Sequence, residues 1–404
     1  MTYAFGEVMR DRRAVFDGDK LFELLSRARE TLKIAVVFGG SKDNPENVAQ
    51  VSINTRSWKS YEGIADEIAS SLKDVGFQSV ITMAEGIDLV PRLITEKIDL
   101  VWINSGGVQG VDPVSHLPAA LEMAGIPYIG HNPVNASLLD NKQLLKWGME
   151  SKGIPTAPFF AWHPVQGRFP GIDCIDYQRV FASYDGPFLV KPVSGRASLL
   201  IEIIDETSDL PDAIQRIVEE THNAVLVEKY LGGREYTVAV AGPILHRSNH
   251  LTRTDKPSVF SQIERHLDKE ERFFTSMDAK PITKDRMRLL DPNVEAAEVA
   301  RLNDLARNIY TGFALETLVR VDVRADEKGD FFVLEANPKP DLKKPTASGL
   351  SFVCSGLDRM RMSYGDLLLS IVAQKLYDLC DPKTGLAGPI LRKKLGLHDT
   401  TLAG

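Results

Sequence analysis

Cysteine is scarce in this chain of 404 residues. Cys174, Cys354 and Cys380 stand far apart, so neither a disulfide framework nor a cysteine zinc site is indicated. Long apolar runs are missing, so no segment reads as a bilayer span, and the polar N-terminus does not read as a secretory signal. The formal net charge is −7 and no lysine- and arginine-rich stripe occurs, which argues against a nucleic-acid partner. A reducing, cytoplasmic setting, with no membrane partner, is the expectation. Several catalytic signatures are absent as well. There is no GxxxxGK[ST] phosphate loop and no GxSxG nucleophile elbow, and Gly39-Gly40 does not complete a dinucleotide fingerprint. His246 and His250 have the spacing of a zinc-binding helix but lack its glutamate and lie outside any helical pattern. Cys354, in an SFVCSG run, reads as packed rather than nucleophilic.

What is present is an ordinary globular composition, 25% charged and 43% hydrophobic, over a length that suits about two to four domains. Residues 1–32 form a charged extension with a helix expected over 19–29, either a packing arm or a dimer contact. From Lys33 strands and helices alternate: KIAVVF, a helix over 61–75, SVITM, a short helix capped by Asp88, LVWIN, then HLPAALEMAG and the short strand IPYIG. That is the pattern of an open parallel sheet covered by helices. Residues 132–153 read as one helix carrying Lys142, closed by Pro155. PFLVKP, SLLIEII, AVLVEKYL and REYTVAVAG then read as short strands around a helix at 209–222. The polar stretch 252–283 reads as irregular, too long for an ordinary connection, and so as a lid or a partly disordered segment. Helices near 295–311 and 364–379 flank the last strands.

Those last strands, TLVRVDVRADEKGDFFVLEANP, form an expected β-hairpin. With an even loop centred on Lys328-Gly329, Asp322 falls opposite Glu335 and Arg320 opposite Asn337. Alternation then places Val319, Val321, Val323, Phe332, Leu334 and Ala336 on the other face. Opposed carboxylates repel unless a cation lies between them, and an Asp, Glu and Asn oxygen set suits Mg²⁺. Taken alone, the hairpin slightly favours a polar face simply turned to water, as in any half-buried antiparallel sheet. Lys191 ends the strand PFLVK and enters a loop of small residues, a way of holding phosphates through one charge and exposed backbone N–H groups, although by itself the motif reads more readily as a surface turn with a solvated lysine. Glu228-Lys229-Tyr230-Leu231 runs from a strand into a Gly232-Gly233 turn, with Glu235 just beyond; an edge strand with outward charges would look the same.

Together, Lys142, Lys191, Glu228, Glu235, Arg320, Asp322, Glu335 and Asn337 occur in an order and spacing that closely resembles the ATP-grasp superfamily, in particular its D-alanine–D-alanine ligase branch. The resemblance covers roughly residues 33–380. The segments MAGIPYIG, DNKQLLKWGMESKGIPTAPF, FLVKP, VLVEKYLGGREYTV and VRVDV through FFVLEANP carry it. It implies an α/β and α+β multidomain fold: an N-terminal open parallel sheet (33–135, pre-ATP-grasp and Rossmann-like) before a two-part ATP-grasp module. The parts expected are a central subdomain at 136–240 and a C-terminal subdomain at 241–404. It also implies that Lys142 and Lys191 hold ATP phosphates, with Lys191 and Arg320 catalytic. Ser194, Gly195 and Ser198 would lie in the loop over the triphosphate. The backbone of Lys229 and Leu231 would read adenine, with Glu228 assisting, and Glu235 would bond the ribose. Asp322, Glu335 and Asn337 would ligate Mg²⁺, two ions, with Mn²⁺ as the alternative. A homodimer acting on a small-molecule carboxylate and amine is expected.

The sequence departs from that family where substrates bind. Val48 takes the place of a glutamate that holds the first amino group, with Glu46 two residues before it, and Asn104-Ser-Gly-Gly-Val-Gln-Gly-Val-Asp112 replaces a His-Gly and Gly-Glu-Asp-Gly signature. Ala197-Ser198 stands beside the bulky Arg196, and 338–344 (PKPDLKK) replaces a small-residue turn. The candidate substrate residues are therefore Arg196, Lys339, Asp341, Lys343, Lys344 and Ser348. Their basic members suggest a larger or more acidic substrate than D-alanine, and solvated lysines are the plain alternative. The pattern is similar, too, to ligases of specialised metabolism, including those adding an amino acid to a mycosporine core. A genuine D-alanine–D-alanine ligase, a small-molecule kinase of the same superfamily and a non-catalytic nucleotide-binding regulator are the other readings.

Overall fold

The computed structural model describes residues 16–40, 61–110, 112–195, 200–268, 271–273, 285–345, 351–380 and 387–397. Helix α1 (Gly18–Thr31) starts where Asp17 accepts a hydrogen bond from the Lys20 N–H at 3.0 Å. Its apolar stripe of Leu21, Leu25 and Ala28 is buried within the same chain, so this part of the extension is a packing arm. Strands β1 (Lys33–Phe38), β2 (Ser79–Ala84), β3 (Leu100–Asn104) and β4 (Tyr128–Ile129) form a wholly parallel sheet in the order β2-β1-β3-β4. Helices α2 (Glu62–Asp74), α3 (Leu89–Thr95) and α4 (His116–Met123) connect them. Ile34 to Phe38 are all buried, as a strand covered on both faces requires.

The expected helix over 132–153 is two helices, α5 (Pro133–Asp140) and α6 (Lys142–Ser151). Asn141 separates them in an extended conformation, its side chain accepting from the Leu144 N–H at 3.0 Å. Asn141 bridges to Ser194, and the Lys142 N–H donates to the Val193 carbonyl at 3.1 Å. An N-cap residue inside an apolar periodic pattern therefore marks a new helix start, and it seats Lys142 against the loop after Lys191.

A second, antiparallel sheet follows, in the order β5-β8-β6-β7. It contains β5 (Phe159–Trp162), β6 (Phe188–Pro192), β7 (Glu202–Ile204) and β8 (Val225–Lys229), with helices α7 (Ile175–Phe181) and α8 (Leu210–Thr221). The third sheet, β13-β12-β9-β14-β15, is built from β9 (Glu235–Ala241), β12 (Ser258–Arg265), β13 (Met287–Leu289), β14 (Val319–Ala325) and β15 (Phe331–Asn337). A separate hairpin joins β10 (Ile244–Arg247) to β11 (His250–Arg253). Helices α9 (Ala296–Gly312), α10 (Tyr364–Cys380) and α11 (Pro389–Lys394) complete the chain. An open parallel α/β sheet followed by two antiparallel layers is the expected fold class. Among the described residues, no helix is long and apolar enough to cross a membrane.

Strand β9 lies within the 136–240 range expected for the central subdomain, yet it pairs with β12 and β14 in the third sheet. Leu139, Leu145 and Met149 of α5 and α6 also pack into the core under that sheet. By pairing and packing, the second sheet therefore ends at Lys229. The stretch expected to be irregular contains β12, which occupies the interior of the third sheet. Its polar residues Ser261, Gln262 and Glu264 are buried, so outward and inward faces do not alternate by polarity. Alternation was the only strand signal available there.

The hairpin pairs as expected, Asp322 with Glu335 and Arg320 with Asn337, but for a different reason. Its loop is odd: Ala325 pairs with Phe331. A β-bulge between Asp322 and Val323 then shifts the register by one residue. Beyond the bulge Phe331 and Val333 enter the core in place of Phe332 and Leu334, so the face expected for those two is corrected.

Gly356 crosses directly over β12, where a Cβ would stand 1.6 Å from the Phe260 carbonyl oxygen, and its N–H donates to Ser261 Oγ at 2.9 Å. Gly356→Ala should lower stability by about 1–3 kcal/mol, the usual cost of overpacking. The urea midpoint measures it; an unchanged midpoint contradicts this packing.

Candidate active site

Asp322 lies on β14, an interior strand of the third sheet between β9 and β15, and is almost wholly buried. Donors from several strands converge on it. Its Oδ1 accepts from Thr237 Oγ1 at 2.6 Å, Arg320 Nε at 3.0 Å and Arg265 Nη2 at 3.1 Å. Its Oδ2 accepts from Arg320 Nη2 at 3.0 Å and Asn337 Nδ2 at 3.4 Å. Burial alone would raise its pKa; the Arg265 and Arg320 guanidiniums outweigh burial and hold the carboxyl below its usual range. Across the ladder Glu335 is less buried, and its Oε1 accepts from the same Asn337 amide at 3.3 Å. Lys142 Nζ, at the start of α6, stands 3.7 Å from Glu335 Oε2 and donates to the Gly195 carbonyl at 2.8 Å.

The second node is Glu228 on β8. Its two oxygens lie 2.6 Å from Lys146 Nζ and 2.7 Å from Lys191 Nζ, all three side chains being buried. Burial would raise the Glu228 pKa, and the two ammonium groups more than reverse it. Lys146 also donates to Thr156 Oγ1 at 2.5 Å. Glu228, expected beside adenine, is thus clasped by two lysines. The Lys229 N–H donates to the Pro158 carbonyl at 2.9 Å, its ammonium lies 5.2 Å from the Tyr184 ring centroid, and Leu231 is buried. Glu235, expected at the ribose, meets Arg265 Nη1 at 2.9 Å and Arg324 Nη1 at 3.4 Å.

The structure therefore brings Lys142, Gly195, Arg320, Asp322, Glu335 and Asn337 together, and it joins Lys191 to Glu228. Ser194 is placed by Asn223 Nδ2, which donates to its carbonyl at 2.7 Å. Of the substrate candidates, Lys339 Nζ stands 3.3 Å above the Tyr61 ring and 3.5 Å from the Asn104 carbonyl. Lys343 and Lys344 are exposed. Arg196, Ser198 and Ser348, with Glu46 and Val48, lie outside the described residues. Lys146, Arg265, Arg324 and Thr237 were not anticipated. Two of them had a signal: Lys146 is one helical turn past Lys142, and Arg324 continues the alternation of Arg320 and Asp322.

The residues fit a hard divalent cation. Among the described residues no three His, Cys, Asp or Glu side chains form a metal cluster, but two carboxylates and an amide suffice for Mg²⁺, which keeps waters and phosphate oxygens. Where opposed carboxylates call for positive charge, the Asn337 amide N–H₂ lies between them.

A family model described as the D-Ala–D-Ala ligase C-terminus matches residues 149–373. The chain belongs to the D-alanine–D-alanine ligase family, within the ATP-grasp fold. D-alanine–D-alanine ligase B of Pseudomonas putida is 27% identical over 349 residues, 85% of this chain and 93% of that protein. An uncharacterized protein of Sinorhizobium fredii is 28% identical over 324 residues, 78% of this chain and 88% of that one. The crystal structure of a D-alanine–D-alanine ligase from Bacillus anthracis complexed with ATP superposes with a TM-score of 0.60 at 20% identity. It covers 85% of this chain and 97% of that one. D-alanyl-alanine synthetase A from Vibrio cholerae gives 0.62 at 18%, over 86% and 98%. These structures establish the shared fold.

In this family member the Glu228 clasp yields a stability test. Its folded pKa lies below the unfolded one, so its stabilisation is full above the ordinary glutamate range and is lost as pH falls through the folded value. Glu228→Gln leaves two buried ammonium groups together and should cost about 3–5 kcal/mol. Adding Lys146→Met should return part of that loss in urea unfolding. A further loss on adding the second change contradicts the clasp.

Proposed function

We propose that this chain is an ATP-dependent carboxylate–amine ligase that joins an acid to an amine through an acyl phosphate. We propose further that its substrates are not a pair of D-alanines but an amino acid and a different small molecule, such as a specialised metabolite. The observation that carries the reading is the register of Asp322 opposite Glu335, with Arg320 and Asn337 beside them and Lys142 reaching Glu335. Opposed carboxylates on the last two strands of the sheet, β14 and β15, flanked by Arg320, Arg265 and Lys142, suit a site where phosphate charge is handled.

In this reading Lys142 and Lys191 meet phosphate oxygens and offset their charge. Asp322, Glu335 and Asn337 hold Mg²⁺, as two ions or with Mn²⁺ in its place. When bound, the metal neutralises and orients the phosphates. The acid's carboxylate oxygen bonds to the γ-phosphorus as the bridge to ADP breaks. Arg320, held in place by Asp322, offsets charge on the transferring phosphate and on the oxyanion that forms when the amine attacks. The acyl phosphate would hydrolyse in water, so a closing segment is required; the loop from Ser194 is the candidate. The lack of the glutamate at Val48 and the altered 104–112 and 338–344 segments support a substrate other than D-alanine.

Glu335→Gln should abolish ADP release while the far-ultraviolet circular dichroism stays that of the wild type. Retained turnover would contradict the metal assignment.

A further inference from the structure

Past Asn337 the chain crosses from the hairpin to the carboxyl edge of the parallel sheet, where ligands of such sheets collect. Three contacts strap it there. Lys339 Nζ reaches the Asn104 carbonyl at the end of β3 and lies over Tyr61. The Tyr364 hydroxyl donates to the Leu342 carbonyl at 2.8 Å. The Lys344 N–H donates to Glu67 Oε2 on α2 at 3.0 Å. Leu342 is buried in the main core. Residues 338–344 are thus fixed at both ends, and Asp341 sits between the fixings.

Asp341 Oδ1 is buried and, among the described residues, accepts no hydrogen bond. A buried carboxylate oxygen without a partner is costly, and native structures keep such groups for a reason. The charged groups acting on it are Lys339 and Lys343 on its own segment, Arg320 on β14 and Glu67 on α2. The Cys354 thiol and the Tyr364 hydroxyl also lie within its field. Burial raises its pKa against the pull of those three cations, toward the range in which a carboxylate accepts protons usefully near neutrality. Its neighbour Arg320 is the group assigned above to the reacting phosphate and oxyanion.

We propose that Asp341 receives the attacking amine of the second substrate, its unpartnered Oδ1 accepting an N–H and then the proton the ammonium must lose. This rests on the ligase reading and names the chemistry of one subsite, that of a primary amine. The R–NH₃⁺ group gives one proton to Asp341. The freed nitrogen lone pair forms the C–N bond to the acyl carbon, the C–O bond to phosphate breaks with its electron pair leaving on phosphate, and the nitrogen's surplus proton passes to that phosphate. An ionised carboxylate is acceptor-only and matches N–H donors, whereas a carboxylate ligand would be repelled there.

The test compares wild type with the isosteric Asp341→Asn, using Mg²⁺, ATP, pooled D- and L-amino acids and pooled small-molecule carboxylic acids and primary amines, with and without hydroxylamine. Hydroxylamine is uncharged at neutral pH and traps an acyl phosphate without a protein base. Amide and hydroxamate are measured separately by mass spectrometry. Amide formation should fall by about 10²–10⁴-fold in the variant, the usual worth of general base catalysis, while hydroxamate forms as in wild type. In the wild type alone, with both rates corrected for the fraction of each nucleophile that is unprotonated, amide formation should decline at acid pH along a limb that hydroxamate formation lacks, which needs no variant. Equal loss of both products, no loss of amide, or one acid limb shared by both products would overturn the proposal. A wild type that forms neither product and releases no ADP would overturn the ligase reading itself, and the proposal with it.

Discussion

The structure turns on one buried negative charge. Asp322 sits inside a five-stranded sheet, where an unpaired carboxylate would be intolerable. Its partners come from four strands: Thr237 on β9, Arg265 on β12, Arg320 on its own strand β14 and Asn337 on β15. Arg265 and Arg324 then bring in Glu235. The polar face of the sheet is therefore one charge network rather than a surface turned to water. Its opposite face is a dense apolar core of Val238, Val319, Val321 and Val323 over α9. Fold stability and the candidate site draw on the same residues, so substitution at one should disturb the other.

The same logic joins the other layers. Glu228 ties β8 to Lys146 on α6 and Lys191 on β6, while Lys142, one turn before Lys146, reaches Gly195 and Glu335. A single helix start thus touches both antiparallel sheets. The break at Asn141 makes this possible. A continuous helix over 132–153 would not have directed the Lys142 N–H to the Val193 carbonyl.

Much of this was legible in the chain. Parallel strands separated by amphipathic helices announced the first sheet, and the Asp322–Glu335 pairing followed from counting residues around Gly329. That count reached the right pairing through an odd loop corrected by a bulge, and sequence alternation carries no mark of a bulge. Strand β12 escaped because it buries polar side chains: where two polar faces meet, hydrophobic periodicity vanishes although the strand does not. Arg265 was hidden with it. Glu228 and Glu235 were visible as charged residues, but their guanidinium and ammonium partners lie far apart in sequence, and only the folded chain pairs them.

Whether this network serves amide formation is read most directly by product analysis. The protein is incubated with Mg²⁺, ATP, pooled amino acids and pooled small-molecule carboxylic acids and amines, substrates are withheld one at a time, and ADP and new species are followed by mass spectrometry. The expected result is ADP release that needs both an acid and an amine, in step with a product whose mass is their sum less one water. ADP release with a single acceptor and a phosphorylated product, or ATP binding with no ADP from any mixture, would contradict it.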